Sequence, residues 1–297
     1  MQTLADIKAL LAARGLAPRR SLGQNFLIDK NLVTKFADAA LAHGSRLVLE
    51  VGPGTGALTE ALLARGCRVV AIELDAGLAS LLRDRTPDLI ALAPGASLRV
   101  VEGDALAGPG GRRLNPEAAA LLAGEPFSLI ANLPYNAATP LMMALLIEHP
   151  ECRRLAVTIQ REVADRLVAK PNTPDYGTLG IVAQSLARVE RIADLPPECF
   201  WPRPEVTSAM VVLDRLPEPL TPDPRGLAKF CQRLFSARRR QLGSTLGRSL
   251  DWPPGIRPEQ RPAELSPAQI IALARLVAPA DSGDSAPSTV DDASKPG

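Results

Sequence analysis

The run Leu47-Val48-Leu49-Glu50-Val51-Gly52-Pro53-Gly54-Thr55-Gly56-Ala57-Leu58-Thr59 decides the fold. Its first five residues read as a strand that runs straight into a glycine-rich turn, and a helix follows from Leu58 to Ala64. A second strand, Arg68 to Ile72, ends in Glu73 and Asp75. Strand, glycine turn, helix and strand make a βαβ unit, the opening of a doubly wound α/β domain. Glycines at the junction let a cofactor approach the backbone, and an acid about twenty residues later sits where it can hold ribose hydroxyls. This makes Gly52, Gly54 and Glu73 cofactor-site residues; for Glu73 the alternative is a solvated strand end. The glycine pattern does not choose the cofactor, because Gly52, Gly54 and Ala57 also satisfy a loose dinucleotide pattern, and a nicotinamide and S-adenosylmethionine both fit.

The pattern continues through a helix from about Gly77 to Arg85 and a third strand, Leu98 to Glu102, ending at Gly103-Asp104. Asp104 can accept a hydrogen bond from an adenine amine, or can simply cap a helix. The helix-like stretch Glu117 to Ala123 precedes a fourth strand (Leu129, Ile130, Ala131), which stops at Asn132-Leu133-Pro134-Tyr135 before a helix-like run. That places the tetrapeptide on the carboxyl edge of the sheet, where open α/β folds bind ligands. Asn132 brings a side-chain carbonyl, and the Leu133 carbonyl precedes a proline that holds the backbone extended. Two acceptors beside the Tyr135 ring suit a flat amine such as the exocyclic nitrogen of adenine; the alternative is an ordinary turn punctuated by Pro and Asn.

Around this core the chain is long for one domain. Its 297 residues, 46% hydrophobic and 22% charged, predict one large domain with a smaller one attached. A short amphipathic helix, Thr3 to Arg14, leads to the polar loop Arg19 to Leu27, an arm able to carry Gln24 and Asn25 to a ligand. Strands are expected over Leu155 to Gln160, Val189 to Leu195 and Ser208 to Leu213, with helices over Arg161 to Ala169 and Thr178 to Leu186. Aromatic residues make up only 3% of the chain, yet Phe200 and Trp201 stand together in a proline-rich loop with Arg203. Such a mixture can clamp an unpaired base, and Phe200 is the aromatic expected to do so, a core plug being the alternative.

From Pro222 the pattern turns helical (Leu227 to Phe235, Arg239 to Leu250, Pro267 to Val277), and from Ala280 a Ser/Asp/Ala/Pro tail is expected to be disordered. The expected division is therefore 1–215, 222–279 and 280–297. The net charge is only +2, but Lys and Arg concentrate between Arg225 and Arg261, the footprint of a nucleic-acid binder or of a solvated helix face. Four cysteines far apart and two histidines offer no metal site, and no apolar run is long enough to span a bilayer. These features predict a soluble, intracellular protein with reduced thiols.

Taken in order, Gly23-Gln24-Asn25-Phe26-Leu27, Glu50 to Gly56, Glu73, Gly103-Asp104-Ala105, Asn132 to Asn136, and Phe200 with Pro202, Pro204 and Val206 resemble the ribosomal RNA adenine N6-dimethyltransferase family, most closely its small-subunit branch. The resemblance spans about residues 18 to 250. It implies a Rossmann-like domain that binds S-adenosylmethionine and a small C-terminal α-helical domain that docks a pre-ribosomal small subunit. It also implies transfer of two methyl groups to each of two adjacent adenines in the 3′-terminal helix loop of the RNA. It assigns cofactor contacts to Asn25, Leu27, Gly52, Glu73 and Asp104, with Asn132 bridging cofactor and target, Leu133, Pro134 and Tyr135 beside the amine, and Tyr135 or Phe200 stacking on an extruded base. A monomeric cytoplasmic enzyme without a metal is expected. Two departures stand out: Glu205 where the family often has lysine, and Ala138 in place of a common serine. Rival readings are a large-subunit RNA methyltransferase of the macrolide-resistance type, a non-catalytic RNA-binding factor on the same fold, and a nicotinamide oxidoreductase.

Overall fold

The computed structural model describes residues 2–42, 45–108 and 113–277; the 280–297 tail lies outside them. Seven strands form the central sheet: β1 (Leu47–Val51), β2 (Arg68–Glu73), β3 (Ser97–Glu102), β4 (Phe127–Asn132), β5 (Cys152–Gln160), β6 (Ala187–Leu195) and β7 (Ser208–Arg215). Their spatial order is 3-2-1-4-5-7-6. The first five pair in parallel, whereas β7 runs antiparallel between β5 and β6.

Side-chain alternation along the strands builds two separate apolar layers. Leu47, Leu49 and Val51 face one with Leu129, Ala131, Leu155 and Val157; Val48, Ile130 and Ala156 face the other. The first layer is covered by helices including α5 (Pro116–Leu122), α6 (Tyr135–Glu148) and α8 (Thr178–Leu186), the second by α2 (Lys30–Leu41), α3 (Ala57–Leu63) and α4 (Ala76–Ile90). Both faces of the sheet are therefore buried, which explains why its parallel strands read as near-continuous apolar runs.

The chain moves from β1 through β2 to β3 on one side and continues with β4 and β5 on the other. The carboxyl ends of β1 and β4 are thus the switch point of the sheet, where a crevice opens. The glycine turn and the Asn132 tetrapeptide meet there.

Three features depart from the sequence reading. Helix α4 runs on to Ile90 despite Pro87, since Leu89 is buried against the second layer. The expected helix from Arg239 to Leu250 shrinks to Leu242–Leu246 (α10). Its first amides, those of Leu242 and Gly243, donate to the carbonyls of Gln260 and Pro258, and Gly247 at φ +100° ends it. Finally, Phe26–Leu27 of the N-terminal arm forms a two-residue ribbon with Phe200–Trp201 of the proline-rich loop. The helices α9 (Pro224–Ser236) and α11 (Pro267–Val277) pack on α8, and their Leu227, Phe230, Leu234, Ile270 and Leu273 extend the first apolar layer without a break. No helix of the described residues is long and apolar enough to cross a membrane.

Candidate active site

The glycine turn is held open from both sides. Gly52 and Gly54 lie at φ +70° and +59°, where a side chain is strained. A Cβ on Gly54 would stand 2.7 Å from the Phe26 ring, and one on Gly52 would stand 3.2 Å from Pro134. The turn is therefore wedged between the N-terminal arm and the tetrapeptide, with its backbone facing the crevice.

Beneath it are two buried carboxylates. Glu73 accepts from the Gly54 amide at 3.0 Å and from the Asp75 amide at 2.9 Å, and is only 5% exposed. This settles the strand-end alternative against a solvated acid. Burial pushes the Glu73 carboxyl above its ordinary range, and those two amides oppose the shift. Glu50, also buried, accepts from the Thr59 hydroxyl at 2.7 Å; burial raises it to about 8, with the Glu73 charge adding to the effect. Asp104 is exposed on the rim, accepting from the Leu106 amide at 2.9 Å. The helix cap nearby is Asn115, which accepts from Glu117 and Ala118, so Asp104 is not needed for that task.

One cleft gathers these groups. Its wall comprises segments of the arm (Leu22 to Leu27), the glycine turn, Glu73, Gly103 to Ala105 and Asn132 to Ala137. Asn25, Leu27, Gly52, Gly54, Glu73, Asp104, Asn132, Leu133, Pro134 and Tyr135 all line it. Phe200 does not. Its ring is 3% exposed, packed in the second apolar layer with Leu27, Val33 and Met210, so in this conformation it backs the arm and offers no stacking face. Trp201 instead stacks on Phe26 at 6.2 Å between centroids, with the Lys8 ammonium 5.4 Å over the indole.

The tetrapeptide is braced from three directions. The Asn132 amide group donates to the Asn25 carbonyl at 2.8 Å, tying the arm to the carboxyl end of β4. Its carbonyl oxygen accepts from the hydroxyl of Thr158, the residue directly opposite on β5. Thr158, 1% exposed, also receives the Leu133 amide on its backbone carbonyl at 3.2 Å. One residue thus orients the Asn132 side chain and the Leu133 backbone together. The Leu133 carbonyl itself accepts no hydrogen bond among the described residues. Tyr135, half-buried, shares a hydrogen bond of 2.7 Å with the Ser208 hydroxyl; burial raises the phenol and the Ser208 bond opposes the rise. Ala138 is buried in the first layer, and Glu205 is exposed.

Thr158, Ser208 and Thr59 escaped the sequence reading. Each is an ordinary strand or helix residue in the sequence: the pairing of β4 with β5 and of β5 with β7 places the hydroxyls of Thr158 and Ser208, and the turn from β1 into α3 sets that of Thr59 against Glu50.

Fold and site together define a Rossmann-like methyltransferase: a mixed seven-stranded sheet, a glycine turn over a buried acid, and an Asn-Leu-Pro-Tyr turn at the switch point. The chain belongs to the ribosomal RNA adenine dimethylase family, whose model matches residues 15–278. It is 39% identical over 282 residues to the ribosomal RNA small subunit methyltransferase A of Rhodospirillum rubrum, covering 92% of this chain and 93% of that one. It is also 39% identical over 289 residues to the protein of the same name from Ruegeria pomeroyi, covering 94% and 99%. Among solved structures, a dimethyladenosine transferase from Plasmodium falciparum superposes with a TM-score of 0.64 at 20% identity (84% of this chain, 95% of that one). The 23S rRNA methyltransferase ErmE does so at 0.58 and 25% identity (85% and 99%).

Proposed function

We propose that this protein uses S-adenosylmethionine to place two methyl groups on N6 of each of two adjacent adenosines in the 3′-terminal helix loop of small-subunit ribosomal RNA. The observation that carries this is the meeting, in one cleft, of the glycine turn over Glu73 with an Asn132 whose amide is fixed at both ends. The donor fits the residues present: a backbone cradle that a single Cβ would fill, a buried carboxylate for ribose hydroxyls, and Asp104 on the rim for an adenine amine. When bound, it supplies an electrophilic methyl group on a sulfonium.

The residues of the chain then have to make a poor nucleophile react. The N6 lone pair of adenine is delocalised into the ring, and acceptors that hold the amine hydrogens out of the ring plane localise it again. The Leu133 carbonyl has both lone pairs available, and the Asn132 carbonyl keeps one beyond the bond from Thr158. Tyr135 lines the same wall and offers a ring face to an extruded base. Positioning of this kind carries much of the rate of a displacement. The alkylated nitrogen becomes acidic and loses its proton to water, so no strong base is needed. A monomethylated amine keeps one hydrogen, and a second round requires only room for the first methyl.

The small-subunit target is favoured over the large-subunit one by the names and the identity of the relatives, 39% for proteins named for the small subunit against 25% for ErmE. The helices from 222 onward are assigned to docking on a pre-ribosomal small subunit, with 1–215 as the catalytic unit, and the enzyme acts as a cytoplasmic monomer. Transfer of label from S-adenosylmethionine to small subunits lacking the modification tests the whole reading. Label in large-subunit RNA overturns the choice of target, and label in neither subunit overturns catalysis.

A further inference from the structure

A second groove runs along the opposite, amino-terminal edge of the sheet. Its lining holds Arg46, Arg68, Arg153, Arg154, Arg188 and Arg215, with Asp214 as the acid among them. The arginines come from positions far apart in the chain, brought together by strand order. Arg68 opens β2, Arg46 precedes β1, Pro126 and Ser128 mark the start of β4, Arg153 and Arg154 open β5, Arg215 ends the antiparallel β7 and Arg188 lies at the start of β6. These are six adjacent strands, so the cations are strung over five interstrand spacings, about 24 Å in all.

Two of the six have structural work that explains them. Arg215 donates to the carbonyls of Leu145, Leu146, His149 and Cys152 and so closes the end of α6. Arg154 pairs with Asp214 at 2.6 Å and reaches the Ala39 carbonyl. The other four are exposed, and of these only Arg68 holds a two-pronged ion pair, with Glu125. Arg188, 67% exposed, stands 3.5 Å from an Asp214 already taken by Arg154. Arg68 meets Glu125 at the surface, and Arg46 gives one N–H to the Arg65 carbonyl. The Arg153 side chain makes no hydrogen bond or ion pair among the described residues. In a chain whose net charge is only +2, six guanidinium groups against Asp214, Glu125 and Glu151 are a strong local excess.

We propose that this groove binds the phosphate backbone of a second stretch of the ribosomal RNA, remote from the methylated loop. The inference rests on the RNA substrate proposed above. A row of arginines of this length matches a polyanion better than a single small anion, and the guanidinium fork suits phosphate oxygens. The groove lies across the sheet from the cleft, separated from it by the length of β1, about 17 Å for its five residues. At physiological salt that is about twice the Debye length, so the arginines do not steer the target loop through space. They act only on an RNA large enough to reach both edges. The enzyme would then distinguish folded ribosomal RNA from a bare hairpin by gripping it at two places.

The test compares two triple variants of the full chain with equal loss of charge: Arg46→Gln/Arg153→Gln/Arg188→Gln in the groove, and Arg14→Gln/Arg83→Gln/Arg99→Gln on exposed positions outside it. Binding to full-length small-subunit ribosomal RNA and to a hairpin carrying the target adenines is measured against salt. The groove variant is expected to bind the long RNA on the order of tenfold more weakly, with the slope of log K against log salt reduced by about 2, while the control triple changes little and hairpin binding is the same for all three proteins. Equal effects of the two triples on the long RNA overturn the proposal, as does an equal loss on the hairpin. Failure of the wild type to label small subunits lacking the modification would count against the methyltransferase reading, whereas the salt slopes would still decide the groove.

Discussion

Thr158→Val removes one hydroxyl and keeps the shape of the side chain, so it isolates the bond that orients Asn132. In the wild type the Asn25 carbonyl selects the amide nitrogen and the Thr158 hydroxyl selects the carbonyl oxygen, so both ends of the Asn132 amide are specified. Valine leaves the first selection in place and abolishes the second. The orphaned oxygen borders the cleft and can take water, so the loss belongs at the low end of the range for an unsatisfied acceptor, about 1 kcal/mol. If that amount is lost from the population holding the reactive geometry, kcat falls roughly fivefold, since about 1.4 kcal/mol corresponds to a factor of ten. Because the backbone carbonyl of residue 158 still receives the Leu133 amide, the main chain stays in register and the KM for S-adenosylmethionine is expected to be unchanged. Single-turnover transfer from labelled donor to small-subunit RNA measures the effect, and Thr158→Ser, which restores the hydroxyl, should recover most of the rate. Turnover of the valine variant within twofold of wild type would refute the reasoning. So would a serine variant as slow as the valine one.

Asn132→Ala removes both amide contacts and the acceptor itself, and should abolish transfer while calorimetric titration still detects cofactor binding. Gly54→Ala places a Cβ 2.7 Å from the Phe26 ring at φ +59°, and should weaken cofactor binding by on the order of tenfold or more, with a lowered Tm; unchanged affinity would mean that the arm yields at no cost. Phe200→Leu tests the buried ring: a core role costs about 1 kcal/mol of stability and spares turnover, whereas a stacking role lowers kcat at unchanged Tm. For Glu50, a folded-state value raised from 4.5 to about 8 means that the folded protein holds a proton the unfolded chain releases, so its contribution is full below the unfolded value and is lost as pH rises through about 8. Thermal unfolding of the wild type should therefore weaken more steeply between these limits than that of Glu50→Gln, and parallel curves would show that Glu50 does not carry the dependence.

What could be read from the sequence, and what could not, follows from how far each feature depends on neighbours in the chain. The βαβ unit is local. The run from Leu47 to Thr59 holds its own strand, turn and helix, and Glu73 falls at the end of the next strand whatever lies beside it. Thr158 is different. It matters only because β5 lies next to β4 in a register that sets it opposite Asn132, and nothing in the residues around it announces that pairing. Phe200 lies outside the cleft for a related reason: rarity and proline-rich surroundings suggest exposure, but a two-residue ribbon with the arm turns the ring inward and leaves Trp201 the more exposed of the two. Charge followed the same rule. The excess visible along the chain, between Arg225 and Arg261, is a property of consecutive residues, whereas the arginine groove is assembled by the order 2-1-4-5-7-6 from positions between 46 and 215. Parallel strands joined by helical crossovers collect their beginnings along one edge and their ends along the other, and the antiparallel β7 brings its final residue, Arg215, to the edge of the beginnings. The glycine turn and the Asn132 tetrapeptide stand at strand ends on one edge; the arginines stand on the other, where Arg154 and Arg215 tie strand and helix ends together and the remaining four face solvent.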